Sequence, residues 1–296
     1  MSAPIFVPMP GNEDMAAALA RLVGGETALP QMRAFPDGET YFRLDANVRG
    51  RSVALVCTFD RADPKFLPLV FAAETARDLG AARVGLVAPY LAYMRQDRRF
   101  EPGEAISSRI FASALSPHID WLVSVDPHLH RLHALGEIFT IPSRVLHAAA
   151  AISAWIAANV TKPVLIGPDS ESAQWVAEVA KNAGTPFVVL VKTRKGDREV
   201  EVSVPEVEKW REHTPVLVDD IISTGRTMIE TLGHLRRAKM KPAACIAVHA
   251  VFAPAAYESL LAARPARIVT TNTVKHPTNG IDISGLLADA IREVAL

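Results

Sequence analysis

Short runs of Val, Ile, Leu and Ala alternate along this chain with longer stretches in which apolar residues recur every three to four positions. In the first half the runs PIFVPM (4–9), SVALVCTF (52–59), RVGLVAPY (83–90) and WLVSVDPH (121–128) predict strands, and ETYFRLD (39–45) is a further candidate. Helical spacing covers Glu13–Val23, Lys65–Leu79 and Ala105–Leu115, and Gly80 is placed to end the second of these. In the second half VLIGP (164–168), FVVLVKT (187–193), PVLVDDI (215–221), ACIAVHAVF (244–252) and RIVTTNTV (267–274) predict strands. Ser172–Ala183, Thr227–Ala238, Ala255–Ala263 and Ser284–Val294 predict helices between or after them. Strands that are apolar throughout, and not only at alternate positions, belong in a parallel sheet covered on both faces.

The two halves repeat one pattern. The segment 52–90 overlays 214–252 without a gap, and both read strand, polar turn, amphipathic helix, strand. Ala54-Leu55-Val56 falls on Val216-Leu217-Val218, and Val84–Tyr90 falls on Ile246–Phe252. This predicts an α/β protein of two similar domains, 1–147 and 148–296. A length of 296 residues agrees, since one core rarely grows beyond about 250. The copies differ at one place. Asp219-Asp220 and Ser223-Thr224-Gly225 have no counterpart in Cys57-Thr58 and Arg61-Ala62-Asp63. A phosphate site of this kind therefore belongs to the C-terminal half.

Charge narrows the partners. Basic and acidic residues both number 32, so no basic excess points to nucleic acid, and a phosphorylated substrate must be held by a local site. Cys57 and Cys245 sit inside apolar runs and read as free core thiols. The first residues show no charged start followed by an apolar run, and no stretch approaches the ~20 apolar residues of a membrane span. The expectation is a cytoplasmic protein that does not engage a membrane.

The strongest chemical signal is VLVDDIISTGRTM (216–228). An apolar strand ends at two carboxylates, a short polar turn follows, and a helix starts near Thr227. Such a turn aims backbone N–H groups and small hydroxyls at one point, and the helix N-terminus adds partial positive charge, so the point suits a phosphate. Gly225 permits close approach or a positive φ. Asp219 and Asp220 stand where sugar hydroxyls or a metal's waters would lie, and two carboxylates there are costly without a ligand.

Residues Val216–Met228 resemble the phosphoribosyl pyrophosphate motif shared by type I phosphoribosyltransferases and ribose-phosphate pyrophosphokinases. Three further segments resemble the pyrophosphokinases: FPDGETYFR (35–43), APYLAYMRQDRRFEPGEAISSRI (88–110) and VDPHLH (125–130). The resemblance runs in family order from about Phe35 to Leu287. It implies two type I phosphoribosyltransferase-like domains, each a mainly parallel sheet flanked by helices. It also implies a Mg²⁺-dependent transfer of pyrophosphate from ATP to ribose 5-phosphate. Carried over residue by residue, Asp219 and Asp220 hold the ribose hydroxyls, and Ser223, Thr224, Gly225, Arg226 and Thr227 form the 5-phosphate loop. Lys192 and Arg194 are the catalytic cations. Phe35, Asp37 and Glu39 hold the adenine, and Arg95, Gln96 and Asp97 contact the nucleotide, with Arg95 on a phosphate. His128 meets the metal–ATP phosphates, and Asp169 lies by the metal. Common family members have Asp where this chain has Ser223 and a small residue where it has Arg226. The family's hairpin enters the neighbouring subunit's ATP site, which implies a homo-oligomer, dimer or higher. A non-catalytic regulatory homologue and a base phosphoribosyltransferase are the alternatives.

Overall fold

The computed structural model describes residues 3–129, 131–168, 173–195, 199–203 and 207–295. The chain divides into two compact units, Met1–Leu146 with Ile283–Leu296, and His147–Asp282.

The first unit begins with β1 (Ile5–Pro8), α1 (Glu13–Val23) and the two-residue β2 (Glu26–Thr27). A hairpin follows, β3 (Gln31–Ala34) and β4 (Thr40–Arg43), then β5 (Ser52–Val56), α2 (Asp63–Asp78), β6 (Arg83–Ala88), α3 (Ser107–Leu115), β7 (Trp121–Val125) and β8 (Ser143–Leu146). The sheet order is β2-β1-β5-β6-β7-β8, with every pairing parallel. The central strands are buried at nearly every position, as runs without alternation require. Trp121, fully buried, lies across Gly85 on the neighbouring strand, so that a Cβ on Gly85 would stand 1.8 Å from the indole.

The second unit holds α4 (Ala149–Asn159), β9 (Pro163–Gly167), α5 (Ala173–Ala183) and β10 (Phe187–Val189). A second hairpin, β11 (Val191–Lys195) and β12 (Glu199–Ser203), precedes β13 (Thr214–Ile222), α6 (Arg226–Arg237), β14 (Ala244–Ala250), α7 (Ala256–Ala262), β15 (Arg267–Thr271) and β16 (Asn279–Ile281). Its sheet order is β10-β9-β13-β14-β15-β16, again parallel throughout. Counted within each unit, the two strand orders are identical, and each unit inserts its antiparallel hairpin at the same step, ahead of the third sheet strand. The repeat expected from 52–90 and 214–252 is therefore a repeat of whole sheets. Cys57 and Cys245 are free and buried, as expected.

The last helix, α8 (Ser284–Ala295), departs from the sequence reading, which placed it with the second half. It packs on α1 and on β6, β7 and β8, burying Leu287, Ala288, Ala290 and Ile291. Arg83 and Arg144 anchor it from the sheet side, through the Val294 carbonyl at 3.0 Å and the Glu293 carboxylate at 2.6 Å. Apolar spacing shows that a helix has a face to bury but not against which unit. The strand β13 also runs further than expected, pairing with β14 as far as Ile222, so Asp219 and Asp220 stand within it. The helix that follows starts one residue earlier than expected, at Arg226.

Candidate active site

In the second unit, β13 lies between β9 and β14 in the middle of the sheet. Its first half is buried. At Asp219, Asp220 and Ile221 it becomes half-exposed as it passes beyond its pairing with β9, which ends at Leu217. Emergence from the sheet allows two consecutive carboxylates here, and Asp219 turns back to accept the N–H of Asp220 at 2.9 Å. The chain then bends through Ser223 and Thr224. The Ser223 carbonyl accepts the N–H of Ala253, which ties the turn to the end of the next strand. Gly225 adopts φ 68° and caps α6. Among the described residues no side-chain hydrogen bond from the cap position closes this helix start, and the first N–H groups of a helix have no partner within it. The positive end of a helix, uncapped at a sheet strand's C-terminal end, is an anion site in waiting. Nothing lies within 3.9 Å of the position a Gly225 Cβ would take, so the glycine serves the backbone angle and not a tight fit.

The matching turn of the first unit is built differently. It lines a cleft of about 290 Å³ with Phe59, Asp60, Arg61, Asp63, Tyr90 and Tyr93. Asp63 sits in the first turn of α2 and accepts the Tyr93 hydroxyl, which pushes that phenol up to about 12, with burial adding to the shift. Lys65 is held by Asp60 and the Thr58 carbonyl. Asp63 puts a carboxylate in the first turn of α2, whereas α6 has no acidic residue in its first turn.

The other candidates in the first unit lie on the β3–β4 hairpin and on two loops. In the hairpin, Phe35 N–H donates to Glu39 O at 2.7 Å, Gly38 takes φ 93°, and Asp37 Oδ1 accepts the Glu39 N–H. The Asp37-Gly38 turn thus presents Phe35, Asp37 and Glu39, all three exposed. The Arg33 guanidinium lies 4.5 Å from the centroids of both the Phe35 and Tyr41 rings, which fixes the aromatic platform. Arg95 is exposed in the loop after β6. Asp97 is tied to Arg131 by two hydrogen bonds of 3.0 and 3.3 Å, and its side chain is only 4% exposed. Sequence reading missed Arg131, because a lone arginine in a polar loop has no spacing to single it out. The pair joins the loop of Arg95, Gln96 and Asp97 to the segment that carries His128.

His128 follows β7 in a sharp bend. Asp126 takes φ 35° and His128 φ 53°, with the His128 N–H on the Asp126 carbonyl at 2.8 Å. Two non-glycine residues with positive φ, flanking Pro127, mark a backbone held against its preference, a state that clusters at functional sites. Lys192 and Arg194 stand on β11, at register positions opposite Val202 and Val200 of β12. Asp169 and His130 lie outside the described residues. Among the described residues, no group of three or more His, Cys, Asp or Glu is placed to hold a metal, and no helix is long and apolar enough to cross a membrane.

Comparison with known proteins bears on what these sites serve. Residues 5–117 match the family model described as the N-terminal domain of ribose phosphate pyrophosphokinase, and residues 135–283 match the phosphoribosyl transferase domain. A ribose-phosphate pyrophosphokinase of Methanothermobacter thermautotrophicus is 32% identical over 283 residues, covering 95% of this chain and 98% of the relative. One from Methanopyrus kandleri is 33% identical, covering 94% of each. In structure, the phosphoribosylpyrophosphate synthetase of Mycobacterium smegmatis superposes with a TM-score of 0.85 over 99% of both chains, at 24% identity, a likeness of fold. With both halves matched in order and relatives aligned over almost their full length, the chain belongs to the ribose-phosphate pyrophosphokinase family and is an enzyme of phosphoribosyl pyrophosphate synthesis.

Proposed function

We propose that this chain transfers the pyrophosphoryl group of ATP to the anomeric hydroxyl of ribose 5-phosphate, giving 5-phosphoribosyl 1-pyrophosphate and AMP. The observation that carries the reading is the junction of β13 and α6. There an uncapped helix start and two carboxylates at an emerging strand are offered together, the one suited to a phosphate and the other to sugar hydroxyls. The 5-phosphate rests on the turn Ser223–Thr227, with Ser223, Thr224 and Thr227 as hydroxyl donors and Arg226 as an added cation. Asp219 and Asp220 accept the ribose hydroxyls and so orient the ring.

The anomeric oxygen bonds to the β-phosphorus as the bond from that phosphorus to the oxygen bridging the α-phosphorus breaks. AMP keeps that oxygen, and the hydroxyl proton passes to solvent. Such a transfer is mostly positioning and charge stabilisation, and the cations Lys192 and Arg194 supply the charge. Phe35 stacks on the adenine, while Asp37 and Glu39 accept its amino group. Arg95 contacts a phosphate, with Gln96 and Asp97 in the same stretch. Mg²⁺ needs only one or two protein groups beside waters and phosphate oxygens. His128 and Asp169 are the residues that would hold it, and the ion would neutralise charge on the phosphates. The reading also includes a cytoplasmic homo-oligomer in which the exposed Phe35 hairpin serves a neighbour's nucleotide site.

A pair of variants tests the assignment. Lys192→Ala lowers kcat by roughly 10²–10⁴-fold, the scale of losing a main electrostatic contact, and barely moves the KM for ribose 5-phosphate. Asp220→Ala raises that KM. A kcat within a factor of about two for Lys192→Ala, only ~0.4 kcal/mol of barrier, refutes the catalytic role of β11. A base phosphoribosyltransferase would form product without ATP, and a regulatory homologue would show no turnover.

A further inference from the structure

The loop between Gln96 and α3 is organised around one carboxylate. Glu104 Oε2 accepts the Phe100 N–H at 2.7 Å, the Glu101 N–H at 3.0 Å and the Gln96 side-chain amide at 3.2 Å. Its backbone is engaged as well: Glu104 N–H donates to the Glu101 carbonyl at 3.3 Å, and the Glu104 carbonyl accepts Arg99 Nε at 2.9 Å. Gly103 turns the chain back with φ 86°, which brings the carboxylate onto donors that precede it. Three donors converging on one oxygen form a small anion cradle, filled here from within the same loop. The Glu101 and Phe100 N–H groups, and after them the Gln96 amide, hold the Glu104 carboxyl below the usual range against a contribution from burial that raises it.

The cradle is connected to the candidate nucleotide residues on two sides. Gln96 is gripped directly, and its carbonyl accepts the N–H of Ser108 at the start of α3. Phe100, fixed through its N–H, lies under two guanidiniums, Arg98 at 4.9 Å and Arg131 at 5.6 Å from the ring centroid. Arg131 in turn donates from one guanidinium nitrogen to both carboxylate oxygens of Asp97. A single carboxylate therefore ties Gln96, and through Phe100 and Arg131 also Asp97, into one arrangement. Arg95, exposed in the same stretch, is carried by its neighbours.

We infer that Glu104 is a positioning residue for the nucleotide-contacting stretch Arg95–Asp97, acting as a built-in anion that locks the loop without an external one. The inference rests on the proposed nucleotide contact of that stretch. The test is the KM for ATP and for ribose 5-phosphate in the full-length protein and in Glu104→Ala, Glu104→Gln and Arg95→Ala, each with and without sodium acetate, with thermal midpoints alongside. Losing a charge-assisted set of this size is expected to raise the KM for ATP in Glu104→Ala by about tenfold. The KM for ribose 5-phosphate stays within about twofold, since its site lies on the second unit. Glu104→Gln, which keeps an acceptor oxygen without the charge, falls between. Acetate entering the emptied cradle lowers the raised KM in Glu104→Ala and leaves the unmodified protein unaffected. That rescue is the readout a merely structural role would not give. An unchanged KM for ATP in Glu104→Ala overturns the inference, as does a rise that acetate fails to relieve. If Arg95→Ala raises the KM for ATP while Glu104→Ala does not, this inference alone fails. If Arg95→Ala leaves that KM unchanged, the nucleotide reading of the stretch falls and this inference falls with it.

Discussion

Cys57, just past the end of β5, and Cys245, on β14, are both fully buried. Burial pushes each thiol up to about 12, so neither supplies a thiolate near neutral pH. The folded protein is therefore expected to give no reaction with a thiol reagent at pH 8 and two equivalents once unfolded in guanidinium. A fast-reacting thiol in the native state would contradict this packing. Gly225 makes a different demand. Its φ of 68° is accessible to alanine at a cost of about 1–2 kcal/mol, and the space beside it is open. Gly225→Ala should fold, lose a little in thermal midpoint and raise the KM for ribose 5-phosphate several-fold, because the turn's N–H groups no longer hold their aim. An unchanged KM would mean that the phosphate rests elsewhere.

Among the elements, β6 and β7 offer a packing test. Gly85 and Trp121 face one another in register, and the indole fills the space a side chain would need. Gly85→Ala is expected to destabilise the protein by roughly 3 kcal/mol, the upper part of the overpacking range, measured by denaturant unfolding. A loss under about 0.5 kcal/mol would mean that the indole has room to move. Nothing in the sequence marks this pair, since a glycine inside an apolar run shows neither its neighbour nor its role. The central strands of both sheets were legible because a fully buried parallel strand is apolar at every position. Helix α1 was legible to the residue, because Gly24 stops it with a left-handed cap. Helix α4 was missed: AAAISAWIAAN is apolar nearly all round, so no polar face announces a helix. The short edge strands β2, β8 and β16 were missed because two to four residues carry too little pattern. In the site, the VLVDDIISTG turn could be read because its chemistry is contiguous. The Asp97–Arg131 pair and the Glu104 cradle join residues through space and left no such mark.

At the level of the assembled protein, one sheet order is used twice and the two copies have diverged in chemistry. Each places a hairpin before its third sheet strand; one presents Phe35, Asp37 and Glu39, and the other carries Lys192 and Arg194. If the first hairpin serves a neighbouring subunit, Phe35→Ala and Lys192→Ala should each be nearly inactive alone, yet regain activity when unfolded together and refolded as a mixture. Sedimentation should then find no active monomer at assay concentration. Failure of the mixture to regain activity would place both hairpins' contributions within one chain. Underneath these tests lies the reaction itself. Phosphorus NMR of a mixture of the protein, ATP, ribose 5-phosphate and Mg²⁺ should show AMP and 5-phosphoribosyl 1-pyrophosphate appearing in equal amounts, with neither formed when ribose 5-phosphate is left out. Formation of ADP in place of AMP, or no consumption of ATP at all, would contradict pyrophosphoryl transfer.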